Sequence, residues 1–236
     1  MKLYICSIEG LTDAASFDAA SLKIDSHRKI KLSYIKSEKD RMRSLCAGLL
    51  LNYAVAEYKR ETIESAQERS NARQMCVAEL VYAAEHAYAE ESMLQELTVK
   101  ELFAVEKQEY EYKQEKNGKP YMADLPDFHF SLSHSGDYVL CACDTCEIGA
   151  DLQCMDWDVK DSLAKKVMTE KEYSVYTTLP KTEQKSYIYR IWSIKESYCK
   201  LTGKGLAQDF RDIETEKISF QAWLWKENYW LAVSQF

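Results

Sequence analysis

In Ile148-Gly149-Ala150-Asp151-Leu152-Gln153 the side chains alternate, so a strand here would set Asp151 and Gln153 on the face opposite Ile148, Ala150 and Leu152. Two oxygen-bearing side chains pointing one way are either donors for a ligand or an ordinary solvated strand face. In Trp192-Ser193-Ile194-Lys195-Glu196-Ser197-Tyr198-Cys199-Lys200, helical spacing gives Ile191, Ile194, Tyr198 and Leu201 a core stripe. Trp192, Glu196 and Lys200 then follow one another at i, i+4 on another face. The Glu196 and Lys200 pair is either a working carboxylate and ammonium or an exposed ion pair worth only about 0.3–0.5 kcal/mol. Upstream, the basic stretch from His27 to Arg43 could seat a ligand's negative groups. His134, inside Ser131-Leu132-Ser133-His134-Ser135-Gly136, is either a ligand contact or a turn residue satisfied by neighbouring hydroxyls.

These groups need elements to hold them. Residues 3 to 8 read as a strand, and the basic stretch runs into an apolar helix from Ser44 to Tyr58. From Glu61 to about Lys107 there is no Pro or Gly and much Ala, Glu, Gln, Leu and Met, which predicts a helical segment or pair. Tyr110 and Tyr112 alternate with charges up to Asn117-Gly118, the dipeptide that best tolerates a tight hairpin turn. Strands are predicted from Phe128 to Ser133, Tyr138 to Cys143 and Ile148 to Gln153, together an antiparallel meander. Helices follow from Val159 to Leu179 and Lys185 to Thr202, the second stopped by Gly203, before aromatic-rich strands from Ile218 to Val233. The class is α+β.

Composition narrows the function. The chain has 236 residues, 46% of them hydrophobic, enough for one substantial core or two small ones. Its 38 acidic and 31 basic side chains give a net charge of -7, the wrong sign for coating a nucleic-acid backbone. The apolar run before Glu9 is too short for a secretory leader, and no stretch reaches the roughly 20 apolar residues of a membrane span. A cytoplasmic protein without nucleic-acid or membrane partners is therefore expected, with its eight cysteines as reduced thiols. Cys141, Cys143, Cys146 and Cys154 invite a zinc reading, but Cys141 and Cys143 alternate within a strand as core residues do.

The motifs also occur in a telling order. Asn117-Gly118-Lys119-Pro120, then Phe130 to Gly136, then Gly149 to Gln153, then Trp192 to Lys200 resembles the signature series of the 4'-phosphopantetheinyl transferases of the surfactin-synthetase-activating type. The resemblance runs from the GKP turn to Gly205 and more weakly back to Arg43, leaving residues 61–107 unexplained. It implies two pseudo-twofold-related α+β halves with antiparallel sheets, residues 1–148 and 149–236, with coenzyme A in the cleft between them and a helical insertion at about 61–107. It further implies an enzyme of the holo-acyl-carrier-protein synthase kind, a monomer that moves the phosphopantetheine arm of coenzyme A onto a serine of an apo carrier protein.

The same resemblance implies roles for particular residues. Asp151, Gln153 and Glu196 match the ligands of a magnesium ion, for which manganese can substitute. Gln153 stands where the family usually has Glu, so one negative charge is missing and weaker metal binding is expected. Glu196 would also be the base that accepts the carrier serine's proton, and Lys200 would neutralise charge on the departing phosphate. Arg28, Lys31, Arg43, Lys119, Ser133, His134 and Lys200 match coenzyme A contacts. The segment through Trp157, Val167, Met168 and Tyr173 aligns with the region that grips the carrier. The missing carboxylate also leaves open a weakened or inactive member that binds carrier or nucleotide without transfer.

Overall fold

In the computed structural model, residues 1–11, 14–72, 93–205 and 208–236 are described. The first strand, β1 (Lys2–Ser7), is followed by α1 (Ala14–Ser21), α2 (Ser26–Tyr34) and the long α3 (Glu38–Ala72). Then come β2 (Leu94–Leu97), α4 (Val99–Ala104), the small hairpin β3 (Tyr112–Gln114) and β4 (Pro120–Met122), and the larger hairpin β5 (His129–Ser135) and β6 (Tyr138–Asp144). The rest is β7 (Ile148–Cys154), α5 (Asp161–Val167), α6 (Glu170–Thr178), α7 (Lys181–Thr202), and a closing hairpin of β8 (Phe220–Trp225) and β9 (Tyr229–Gln235).

Two sheets carry the same design. In one, ordered β2-β1-β6-β5, strand β1 pairs antiparallel with the second strand of the β5–β6 hairpin. In the other, ordered β7-β9-β8, strand β7 pairs antiparallel with the second strand of the β8–β9 hairpin. Each half is thus a strand, then helices, then a hairpin whose far strand closes on the first. This is the α+β architecture of two similar halves that the resemblance implies. The pairing is antiparallel except that β2 joins β1 in parallel.

Alternation divides the core. Tyr4 and Cys6 of β1 with Val139, Cys141 and Cys143 of β6 face α3, against Leu45, Leu49 and Leu50. The intervening Leu3, Ile5, Leu140 and Ala142 face the other sheet, against Ile148, Ala150, Leu152, Leu231 and Val233. β6 therefore has apolar residues on both faces, as a strand covered on both sides must. Cys141 and Cys143 are buried free thiols in this packing. A third cluster joins α5, α6 and α7 through Ala164, Val167, Met168, Ile188 and Ile191.

Three expectations are corrected. The meander breaks at β7, which leaves β6 for β9, because its hydrogen-bonding partner is supplied by the end of the chain. The helical expectation for 61–107 holds only as the continuation of α3 to Ala72 and as α4; residues 94–97 are a strand, since the free edge of β1 offers pairing that overrides local helix propensity. Residues 73–92 of that segment lie outside the described residues. Finally, the helix expected from Val159 to Leu179 is two helices. Thr169 caps α6, its hydroxyl accepting the Glu172 N–H while the Glu172 carboxylate accepts the Thr169 N–H.

Candidate functional site

β7 presents Asp151 and Gln153 toward α7, away from the apolar face, as the alternation predicts. The helix comes very close to the strand. A Cβ on Gly149 would lie 2.0 Å from the Ser197 carbonyl oxygen and 2.4 Å from the Leu201 nitrogen, so only glycine fits there. α7 ends at Gly203, with φ 69° in the left-handed region that favours glycine at a helix C-cap.

Asp151, 2% exposed, is the centre of the polar network. Its Oδ1 accepts from the Ser133 hydroxyl at 2.8 Å and from the Lys200 ammonium at 2.7 Å, and its Oδ2 accepts from the Gln153 amide at 3.0 Å. Lys200 also donates to the Ala150 carbonyl at 3.0 Å. Glu196 lies half-buried one turn before Lys200; burial first, and then repulsion from Asp151, raise its carboxyl pKa, with Lys200 pulling the other way. Two mutually repelling carboxylates, of which Asp151 takes the Lys200 ammonium, form a site short of positive charge. Among the described residues no cluster of three or more His, Cys, Asp or Glu side chains is arranged to hold a metal. Two carboxylates are nevertheless what Mg²⁺ commonly takes from a protein when substrate phosphates and water supply the rest, and Asp151 and Glu196 fit that donor set. Gln153 turns its amide N–H to Asp151 and so steadies the carboxylate.

Ser133 belongs to a seam of hydroxyls. Ser131, Ser133 and Ser135, alternate residues of β5, accept the backbone N–H groups of Ala150, Leu152 and Cys154 on β7 at 2.9, 3.2 and 2.8 Å. Side chains here do what a backbone ladder does within a sheet, and they join two strands that belong to different sheets. The Ser133 hydroxyl, expected to contact coenzyme A, bonds to Asp151 and to the Leu152 N–H of β7.

Next to this network opens a cleft of about 680 Å³, lined by Arg28, Lys31, Lys119, His134 and Lys200 among others. Asp25 caps α2 by accepting the Arg28 N–H at 2.8 Å, which aims the next two turns of basic residues at the cleft. Burial and the neighbouring Arg28 lower the pKa of Lys31. Ser44, on the first turns of α3, lines the same cleft and is 5% exposed, yet its hydroxyl has no hydrogen-bond partner. Nothing in the sequence marks Ser44, because a lone hydroxyl in an apolar helix reads as ordinary helix.

Lys119 lines the cleft but is tied down, donating to the Leu201 carbonyl at 2.7 Å and pairing with Glu147. His134 lines this cleft and a second one of about 800 Å³, shared with Arg43, Gln153, Trp157, Leu163, Tyr189 and Trp192. Burial, then Arg43 and Lys200, push the His134 pKa down. Arg43 spends its guanidinium on the Gly136 carbonyl at 2.6 and 3.0 Å and on Asp40 at 2.7 Å. Of the expected carrier-gripping residues, Trp157 is 76% exposed in the second cleft, whereas Val167 and Met168 are buried in the third core, where α5 and α7 close over them.

Comparison with known proteins gives the same direction. Residues 147–228 match the model of the 4'-phosphopantetheinyl transferase superfamily. The chain is 39% identical over 105 residues to the 4'-phosphopantetheinyl transferase Sfp of Bacillus subtilis (strain 168), which is 44% of this chain and 46% of that protein. It is 35% identical over 112 residues to the 4'-phosphopantetheinyl transferase psf-1 of Bacillus pumilus, 46% of each chain. It is also 35% identical over 109 residues to the 4'-phosphopantetheinyl transferase HetI of Nostoc sp. (strain PCC 7120 / SAG 25.82 / UTEX 2576), 44% of this chain and 46% of that one. The matched stretch spans just under half the length of these relatives. The resemblance read from the motifs is borne out over residues 147–228, which hold β7 and α7 with Asp151, Glu196 and Lys200.

Proposed function

We propose that this chain, whose residues 147–228 match the phosphopantetheinyl transferase superfamily, transfers the phosphopantetheine arm of coenzyme A to a serine of an apo carrier protein with the help of Mg²⁺. The observation that carries the reading is the ion pair of buried Asp151 on β7 with Lys200 on α7, one turn from Glu196 and beside a cleft lined by Arg28, Lys31, Lys119 and His134. That arrangement supports a pyrophosphate lying along the cleft with its charge met from two sides. The division into halves at 148/149 is part of the same proposal, as is a cytoplasmic, monomeric enzyme of the holo-acyl-carrier-protein synthase kind. Among the described residues no helix is long and apolar enough to cross a membrane.

In this mechanism Arg28, Lys31 and His134 bind the phosphate on the nucleotide side, and Ser44 offers its unpartnered hydroxyl there. Asp151 and Glu196 would hold Mg²⁺, which supplies Lewis-acid stabilisation of the β-phosphate when bound. Ser133 and Gln153 orient Asp151. Glu196 takes the proton of the carrier serine. Lys200, one turn further, meets the negative charge that builds on the leaving adenosine 3',5'-bisphosphate. In doing so it exchanges part of its contact with Asp151 for the phosphate. Trp157 and the α5 side of the second cleft receive the carrier.

The test is incubation with coenzyme A, Mg²⁺ and several apo carrier proteins, read by intact mass. A phosphopantetheine-sized gain that disappears without metal is the expected result, and Glu196→Gln should abolish it while leaving the fold intact. Turnover by that variant would remove Glu196 from its role. The amide that Gln153 presents to Asp151 favours a second reading, a member that binds coenzyme A or carrier without transfer. Metal-dependent binding of coenzyme A with no mass gain on any carrier would select it.

A further inference from the structure

Lys195, the residue before Glu196, is 0% exposed, the largest fully buried side chain among the described residues. Its three ammonium protons have three acceptors: Glu172 Oε2 at 2.5 Å, the Val167 carbonyl at 2.9 Å and the Phe210 carbonyl at 2.9 Å. Glu172 is saturated in turn. Its Oε2 also accepts the Thr169 N–H at 2.9 Å, and its Oε1 accepts the Thr215 hydroxyl at 2.8 Å. One ion pair therefore gathers the C-terminal end of α5, the cap of α6, the two short 3-10 turns at Phe210–Asp212 and Thr215–Lys217, and α7.

A buried ion pair is a poor way to gain stability, since apolar residues of similar volume often do as well or better. What apolar residues cannot do is satisfy the two backbone carbonyls that converge here. The pair also fixes directions, because each of its bonds runs to a different element. α5 carries Ser162 and Leu163 into the wall of the second cleft, and α7 carries Trp192 into the same cleft with Glu196 one turn on. No residue of the pair lines either of the two site clefts.

We propose that the Lys195–Glu172 pair is a positioning device that holds the α5 wall of the second cleft, where the carrier docks, in register with the Glu196 turn of α7. The role rests on the transfer reading above. Loosening the pair lets the wall move relative to Glu196, so the carrier serine meets its base less often in the productive geometry. Coenzyme A, bound in the other cleft against α2, α3, β5 and the Lys200 end of α7, keeps its contacts.

The experiment compares the wild-type chain with Lys195→Met/Glu172→Leu, which removes both charges together, and with Glu172→Gln, which keeps an acceptor in place should the double variant not fold. Coenzyme A affinity is measured by calorimetry, kcat and KM for a carrier by mass-detected transfer, and wall mobility by amide hydrogen exchange. Expected are coenzyme A affinity within about twofold of wild type and a roughly ten- to hundredfold lower kcat/KM for the carrier, the size of effect a slight misplacement of reacting groups produces. Faster exchange across residues 161–167 should accompany it. A folded variant with wild-type kcat/KM and wild-type exchange overturns the proposal. A wild-type chain that transfers nothing overturns the transfer reading, and exchange across 161–167 then decides the pair by itself: faster supports it, unchanged refutes it.

Discussion

The hydroxyl of Ser133 donates a hydrogen bond to Asp151 at 2.8 Å and accepts the N–H of Leu152, the next residue along, at 3.2 Å. One small side chain therefore sets both the position of the strand and the orientation of its carboxylate. Ser133→Ala leaves the Leu152 N–H without its partner and Asp151 with one donor fewer. We expect a loss of about 1–3 kcal/mol in denaturant unfolding, the cost of an unsatisfied buried group, and weaker Mg²⁺ binding by titration. A variant with wild-type unfolding would mean that β5 and β7 need no such bond.

Gln153→Glu should restore the missing negative charge. One more unit charge near 4 Å from a cation is worth on the order of 1 kcal/mol even in water, so divalent-cation affinity should rise about fivefold or more. Without metal the same change adds a carboxylate beside Asp151 and should lower the unfolding midpoint at neutral pH. Calorimetric titration with Mg²⁺ checks the first outcome and thermal unfolding in chelator the second.

Glu196 titrates above the ordinary glutamate range because burial, and after it Asp151, disfavour its anion. A raised carboxyl pKa stabilises the fold at low pH, and the contribution is lost as pH rises through the folded-state value. In metal-free protein, Glu196→Gln should thus gain stability relative to wild type on going from acid to neutral pH. Asp151→Asn should lower the Glu196 pKa, which carboxyl-carbon NMR can follow directly. A Glu196 signal that ignores Asp151 would separate the two groups.

His134 behaves in the opposite sense. Burial, Arg43 and Lys200 keep its imidazole neutral, so stability falls as pH drops through the ordinary histidine range, where only the unfolded chain takes up the proton. A phosphate placed beside it reverses the preference. Coenzyme A binding near pH 7 should then take up to one proton, seen as a buffer-dependent binding enthalpy. His134→Gln should abolish that dependence and weaken binding by about tenfold or more, as expected for a hydrogen bond to a charged group.

How much of this was legible depended on distance along the chain. The faces of β7 and α7 were readable because periods of 2.0 and 3.6 are local, and Asp151 and Gln153 do point away from Ile148, Ala150 and Leu152. The partner of β7 was not, since β9 lies at the far end of the chain and antiparallel strands leave no mark of whom they pair with. β2 was hidden for a related reason: Leu94 to Leu97 follow a stretch of helix formers, and only the open edge of β1 makes them a strand. The break at Thr169 carried a readable signal, a threonine followed three residues later by Glu172. The serine seam carried none, because alternating small hydroxyls look the same on a solvated strand. Lys195 lay in plain sight beside Glu196, but a lysine in a helix reads as surface until coordinates bury it.

β6 and β1 each divide their side chains between two cores, Cys141 with Tyr4 on one side and Leu140 with Leu3 on the other. A cut of the chain near Gly149 would therefore strip one whole face from each of these strands and leave Leu3, Ile5, Leu140 and Ala142 bare. The two repeats are alike in plan but not separable in practice: they should melt in a single cooperative transition, and neither should survive expression by itself.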